Sequence, residues 1–235
     1  MKPVIIVQAR MGSARLPGKT MMDMGGRPML DYVIQGLLTA FAVDDLVIVT
    51  SDSAENDSIR AYGQRTGIFV FSGEELNVAS RYYEVLQQRS ETDCMFRICA
   101  DTPMYDASML KSGLEIMEKE DLDWVSSMPN KGYPMGCNLE LIKKKTFLEG
   151  YRVFQKPEQF EHVMPYFYEN AATYSHKLIA CERDGYAYEK YKFSVDTATD
   201  FDYVNRALKK MNYEPWKYTL NEKLDILDNL NTPCL

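Results

Sequence analysis

Four short apolar runs rich in β-branched residues, at 4–7, 46–50, 68–71 and 94–100, alternate with longer stretches of helical spacing. No other feature limits the fold as much. Between the first two runs Leu30, Val33, Ile34, Leu37, Leu38 and Phe41 recur at three- and four-residue steps, and Pro28 sits where a first helical turn tolerates proline. Asn77 opens another such stretch, with Tyr82, Val85 and Leu86 on its inner face. Strands that are apolar throughout are buried on both sides, and strands separated by helices pair in parallel through right-handed crossovers. The expected fold class is α/β, doubly wound: a mostly parallel central sheet with helices on both faces.

Beyond residue 123 the rhythm loosens, with strand candidates at 124–128 and 138–142 flanking a Gly/Pro-rich turn, KGYPMG, at 131–136. A single domain over 1–235 is expected, with a small lid, acceptor or dimerisation subdomain over 129–182. A strand at 192–195, a helix from 199 to 211 and a polar helix over 220–230 complete the pattern.

With 27 Lys plus Arg against 34 Asp plus Glu, the net charge of −7 excludes a polycationic nucleic-acid coat, and no nucleic-acid partner is expected. The cysteines, Cys94, Cys99, Cys137, Cys181 and Cys234, are odd in number and not closely paired, which suits reduced thiols in a cytoplasm. The apolar run in MKPVIIVQAR is too short for a signal peptide, and no stretch approaches the roughly 20 residues of a membrane span. A soluble cytoplasmic protein that does not engage a membrane is expected.

Ligands of open parallel sheets bind beyond the carboxyl ends of strands, which directs attention to the loops after Val7, Phe71, Ala100 and Val195. In a chain of net charge −7, residues 1–22 hold Lys2, Arg10, Arg15 and Lys19 and no acid. Three of these cations lie in QARMGSARLPGK, where Gly12 and Gly18 let the backbone turn and bring N–H groups to a ligand and Ser13 adds a hydroxyl. Such a loop suits a triphosphate or pyrophosphate. It is not a P-loop: five residues separate Gly12 from Gly18 where that motif needs four, and Pro17 stiffens the segment.

Asp101 follows the apolar run MFRICA, and Asp196 follows KFSV, so both carboxylates project from strand ends. Buried there, each needs a cation, which magnesium on phosphate would supply. A strand-end Asp is more often a turn former or helix cap, and Asp200 fits the cap role.

The run IIVQARMGSARLPGKTMMDMGGRPMLDYVI resembles the opening signature of the cytidylyltransferases of the spore-coat-polysaccharide and CMP-sugar-acid synthetase type, whose fold is that of the nucleotide-diphospho-sugar transferases. RICADTPMYD and KFSVDTATDFDYVNRAL resemble the family's second and last blocks, FSGEELNVASRYYEVL and YPMGCNLELI resemble blocks between them, and EHVMPYFYEN resembles the family's Glu-His-Val-x-Pro-Tyr helix. The resemblance implies that Arg10, Ser13, Arg15 and Lys19 grip the triphosphate and that Gln8, Ala9 and Gly12 lie near base and ribose. It carries over Ser72, Gly73, Arg81 and Ala100 to the nucleotide, and Asp101 and Asp196 to Mg2+. Tyr133, Glu140 and His162 are the candidates for the acceptor pocket. Ala100, Thr102, Asn138 and Met164 depart from the residues frequent at those positions, so the nucleotide end matches better than the acceptor end.

What the resemblance implies is a CTP-dependent nucleotidyltransferase that moves CMP to a small acidic acceptor and releases pyrophosphate, in surface polysaccharide or capsule biosynthesis, as a homodimer. Two other classes compete. A nucleotide-binding module would bind CTP without chemistry. A glycosyltransferase of similar architecture would use an Asp-x-Asp metal motif, where this chain has Asp-Thr-Pro at 101–103.

Overall fold

The computed structural model describes residues 1–128, 133–180 and 191–231. The first two residues of the KGYPMG turn, part of the expected 129–182 subdomain, Cys181 and Cys234 lie outside them. Among the described residues seven strands form one sheet: β1 (Pro3–Gln8), β2 (Leu46–Ser51), β3 (Phe69–Gly73), β4 (Cys94–Cys99), β5 (Trp124–Ser126), β6 (Glu140–Lys143) and β7 (His176–Leu178), in the order β3-β2-β1-β4-β6-β5-β7. The first four pair in parallel, β6 runs antiparallel to both β4 and β5, and β7 is parallel to β5. The four apolar runs of the sequence are thus the parallel half.

Helices cover both faces. The side chains of Ile5, Val7, Ile48 and Phe96 pack under α1 (Met29–Leu38), α2 (Asp57–Thr66), α4 (Ser108–Glu120), α8 (Ala198–Lys210) and α9 (Leu220–Asn231). Val4, Ile6, Val47 and Met95 alternate to the other face, under α3 (Val78–Gln88), α5 (Lys144–Tyr151), α6 (Pro157–His162) and α7 (Pro165–Glu169). Asn77 caps α3, its side chain accepting the Ser80 N–H at 2.9 Å. The described part of the expected subdomain, 133–180, contributes β6 and β7 to this same sheet.

Three local expectations change. Residues 192–195 are not a strand of the sheet: among the described residues their ladder contact is an isolated bridge from Lys192 to Met135, because β6 already occupies the far side of β4. Asp200 is not the N-cap of α8. Thr197 is, and Asp200 is the third helical residue, returning the bond in a capping box: Asp200 N–H donates to Thr197 Oγ1 at 3.2 Å and Thr197 N–H to Asp200 Oδ2 at 2.9 Å. EHVMPYFYEN is two short helices rather than one, since Pro165 cannot continue α6. The break is a γ-turn at Val163, φ 73° and ψ −51°, closed by Met164 N–H on the His162 carbonyl at 2.8 Å.

Candidate active site

Strand order reverses at β1, whose neighbours are β2 and β4, and the loops leaving β1 and β4 open a crevice at that point. The β1 loop closes on itself. Met11 carbonyl accepts from Ser13 N–H at 2.8 Å and Gly18 N–H at 2.9 Å, and Thr20 Oγ1 donates to the Arg10 carbonyl at 2.7 Å. Gly18 has φ 75°, which a side chain would strain. The N–H of Gly18, expected to reach a ligand, is therefore spent inside the loop, and the cations carry the loop's attraction for anions. Asn56, fully buried, anchors the loop from below by accepting the Met11 N–H at 2.9 Å.

A short turn of 3-10 helix, Lys19–Met21, follows the loop and turns Lys19 inward until the residue is 9% exposed. A buried ammonium must be compensated, and Lys19 Nζ donates to Asp101 Oδ2 at 2.8 Å and the Val195 carbonyl at 2.5 Å, with Asp196 Oδ1 at 3.4 Å. Arg15 Nη2 reaches Asp196 Oδ1 at 2.9 Å. Two aspartates 95 positions apart in sequence thus meet on one lysine. Burial pushes the Asp196 carboxyl up, but the Lys192 hydrogen bond and the charges of Lys19, Lys192 and Arg15 outweigh it and hold the group below its ordinary value.

The resulting cleft of about 230 Å³ is lined by Gln8, Arg10, Ser13, Arg15, Lys19, Ala100, Asp101 and Asp196 among others. Cys99 forms part of its wall; burial pushes that thiol up to about 11, so it is neutral. Three of the four loops singled out in the sequence converge here. The remaining candidates stand apart. Ala9 is buried under the loop, with its N–H on the Val49 carbonyl at 3.0 Å, and Gly12 faces the Glu55 carboxylate. Ser72 Oγ accepts from Arg60 Nη1 at 3.4 Å, Gly73 packs against Phe71 and Arg81, and Arg81 turns back to donate to the carbonyls of Glu74 and Glu75.

The acceptor candidates are separated. Tyr133 borders another groove, with Met109 and Ile179. His162 is exposed at the end of α6. Glu140 is buried and bound by Arg97 Nη1 at 2.5 Å and the Tyr168 hydroxyl at 2.7 Å, so its charge is already compensated. This network does touch the cleft: Arg97 Nη2 and the Tyr82 hydroxyl each lie 3.5 Å from Gln8 Oε1. Because a guanidinium only donates, Gln8 must turn its oxygen to Arg97 and its NH₂ elsewhere. Sequence reasoning missed Arg97, although an arginine inside an apolar strand was a signal. It also missed Asn56 and Lys192, for which the sequence offered none.

A family model described as cytidylyltransferase matches residues 4–224. The spore coat polysaccharide biosynthesis protein SpsF of Bacillus subtilis is 28% identical over 218 residues, 90% of this chain and 88% of that protein. A cytidylyltransferase from Leptospira borgpetersenii has a similar structure, TM-score 0.89 at 21% identity, over 100% of this chain and 99% of that one. The CTP complex of CMP:2-keto-3-deoxy-manno-octonic acid synthetase gives a TM-score of 0.63 at 20% identity, over 90% of this chain and 100% of that one. The structural likenesses speak for the fold, and the match along nearly the whole sequence speaks for the family. The chain belongs to the cytidylyltransferase family and is a CTP-dependent nucleotidyltransferase.

Proposed function

We propose that this protein transfers CMP from CTP to a small acidic acceptor, a sugar acid, a phosphonate or a phosphorylated metabolite, in surface polysaccharide or capsule assembly. The observation that carries this reading is the meeting of Asp101 and Asp196 on Lys19 beside a loop with two further cations. That donor set fits magnesium, which is usually held by one or two carboxylates together with substrate phosphates and water. Asp101 and Asp196 would hold the ion, and when bound it would polarise the α-phosphate. Arg10, Arg15 and Lys19 bind the β- and γ-phosphates. An acceptor oxygen attacks the α-phosphorus in line, the bond to the bridging oxygen of pyrophosphate breaks, and the same three cations take up the charge that leaves.

The name of the Bacillus subtilis relative supports the polysaccharide setting. The reading places the protein in the cytoplasm as a homodimer joined through residues 131–179, a stretch that includes β7, the last strand of the sheet. Among the described residues no helix is long and apolar enough to cross a membrane. A screen of pyrophosphate release with each of the four nucleoside triphosphates against a panel of acidic acceptors tests the proposal. Release is expected with CTP and one acceptor class; CTP binding with no release from any pair would favour a binding module instead.

A further inference from the structure

Three cations surround the Asp196 carboxylate and divide its oxygens. Oδ1 takes Arg15 Nη2 at 2.9 Å and Lys19 Nζ at 3.4 Å, and Oδ2 takes Lys192 Nζ at 3.0 Å. Arg15 and Lys19 belong to the basic loop; Lys192 does not. Its ammonium also reaches Asp200 Oδ2 at 2.7 Å, the same oxygen that accepts the N–H of Asp196 at 3.0 Å and of Thr197 at 2.9 Å. Asp200 is fixed by the capping box of α8. The Lys192 backbone is fixed as well, by its bridge to Met135 and by Phe193 N–H on the Met135 carbonyl at 2.8 Å. Lys192 therefore joins one oxygen of Asp196 to a rigid helix start. Its side chain is 28% exposed and Asp196's 20%, so water screens this contact less than it would a surface pair.

We propose that Lys192 is a positioning residue that holds Asp196 by Oδ2, so that Oδ1 stays aimed into the cleft when a polyphosphate draws Arg15 and Lys19 away. The inference rests on the function proposed above. Six charges meet here, Lys19, Lys192 and Arg15 against Asp101, Asp196 and Asp200. Once phosphate oxygens recruit the two loop cations, Oδ1 is left without a counter-charge while phosphates repel it. Rotation about the side-chain torsions would relieve that repulsion by turning the carboxylate outward. Lys192 prevents the rotation and so keeps Oδ1 available to a divalent cation, which Asp101 and Asp196 would hold.

The test is calorimetric titration of CTP into the full chain with and without Mn2+, alongside electron paramagnetic resonance of the bound ion, for wild type, Lys192→Met and Lys192→Arg. Each variant's own metal-free affinity for CTP is the reference, because deleting one positive charge beside the cleft in Lys192→Met lowers it whatever Lys192 does for Asp196. In Lys192→Met the tightening caused by Mn2+ should fall about 10- to 100-fold, the usual loss when a partner of a metal ligand is removed. Lys192→Arg should restore it, since a guanidinium can span both carboxylates. If Lys192→Met retains the full Mn2+ effect, the inference is overturned, even if its melting temperature has dropped. Should Lys192→Met fail to fold, Asp200→Asn removes the charge that anchors Lys192 while keeping an acceptor for the cap, and an undiminished Mn2+ effect in that variant is equally decisive. Failure of the underlying function looks different: wild type itself would not bind CTP.

Discussion

Val195 donates its backbone N–H to the Asp101 carbonyl at 2.8 Å. Through this one bond the loops that carry Asp101 and Asp196 become a single unit, and Lys19, donating to the Val195 carbonyl and to Asp101, closes it from the side. A main-chain bond thereby sets the spacing of the two segments, while the side chains of Lys19 and Lys192 set where their carboxylates point. Ala100 N–H, donating to the Gln8 carbonyl at 2.9 Å, ties the same unit to the end of β1.

Gly136 is where the acceptor-side turn presses on that unit. Its φ is +92°, and a Cβ there would lie 2.8 Å from Ser194 Cβ and 2.9 Å from both Ser194 N and Thr102 Cγ2. Gly136→Ala should cost about 1–3 kcal/mol of stability in urea unfolding from the strained backbone alone. Because Thr102 and Ser194 flank the two aspartates, CTP-dependent pyrophosphate release should fall as well. Normal stability and rate in this variant would mean that the turn is not seated between the loops.

Asp101→Asn should abolish turnover with little loss of fold, since it removes a charge from the cleft and not volume from the core. Lys19→Ala should lower kcat by about 10²- to 10³-fold, the scale seen when one preorganised donor to a developing negative charge is deleted. It should also raise the KM for CTP. Steady-state kinetics with a circular-dichroism melt as control separate these effects from unfolding; an unchanged KM and kcat in Lys19→Ala would mean that the loop points away from the substrate.

Much of this was legible in the sequence. The basic loop follows β1 and Asp101 follows β4, and in a parallel sheet such strand ends share one edge, whereas Asp196 reaches that edge through the Val195 bond to the Asp101 carbonyl and not from a strand end. What could not be read was long-range pairing. The insertion of antiparallel β6 between β4 and β5 has no local signature, and it leaves 192–195, strand-like in composition, no edge to pair with. For the same reason Glu140 read as a pocket acid: its neutralisation by Arg97 depends on β4 and β6 being neighbours.

Thr197→Ala should destabilise the protein by about 1 kcal/mol, the usual cost of losing an N-cap oxygen, while Thr197→Ser should not. Chemical denaturation measures both. The N–H groups of Asp196 and Thr197 that hold the Asp200 oxygen beside Lys192 are backbone and survive in the alanine variant, so its Mn2+-dependent tightening of CTP should stay near wild type, unlike that of Asp200→Asn.

Lys223 lies apart from the cleft, on α9, 1% exposed, its ammonium donating to the Tyr105 carbonyl at 3.4 Å. Burial lowers its pKa from the ordinary 10.5, and the opposing influence of Asp106 and Cys137 does not offset it. A group whose folded value is depressed in this way makes the unfolded chain hold more protons between that folded value and 10.5, so its penalty is complete below the folded value and shrinks as pH rises from there toward 10.5. Lys223→Met should stabilise the protein at pH 7 by about 1–4 kcal/mol, as apolar replacement of buried charge often does. That gain should narrow in alkaline solution; a variant less stable than wild type at pH 7 would show that the ammonium is well solvated.

The most direct measurement is anomalous diffraction from a crystal grown with CTP and Mn2+. One peak should lie about 2.0–2.2 Å from an oxygen of Asp101, from Asp196 Oδ1 and from an α-phosphate oxygen. Arg15 and Lys19 should by then have moved from Asp196 to the β- and γ-phosphates. A manganese peak that touches neither aspartate, or a triphosphate bound away from the 10–19 loop, would contradict the account.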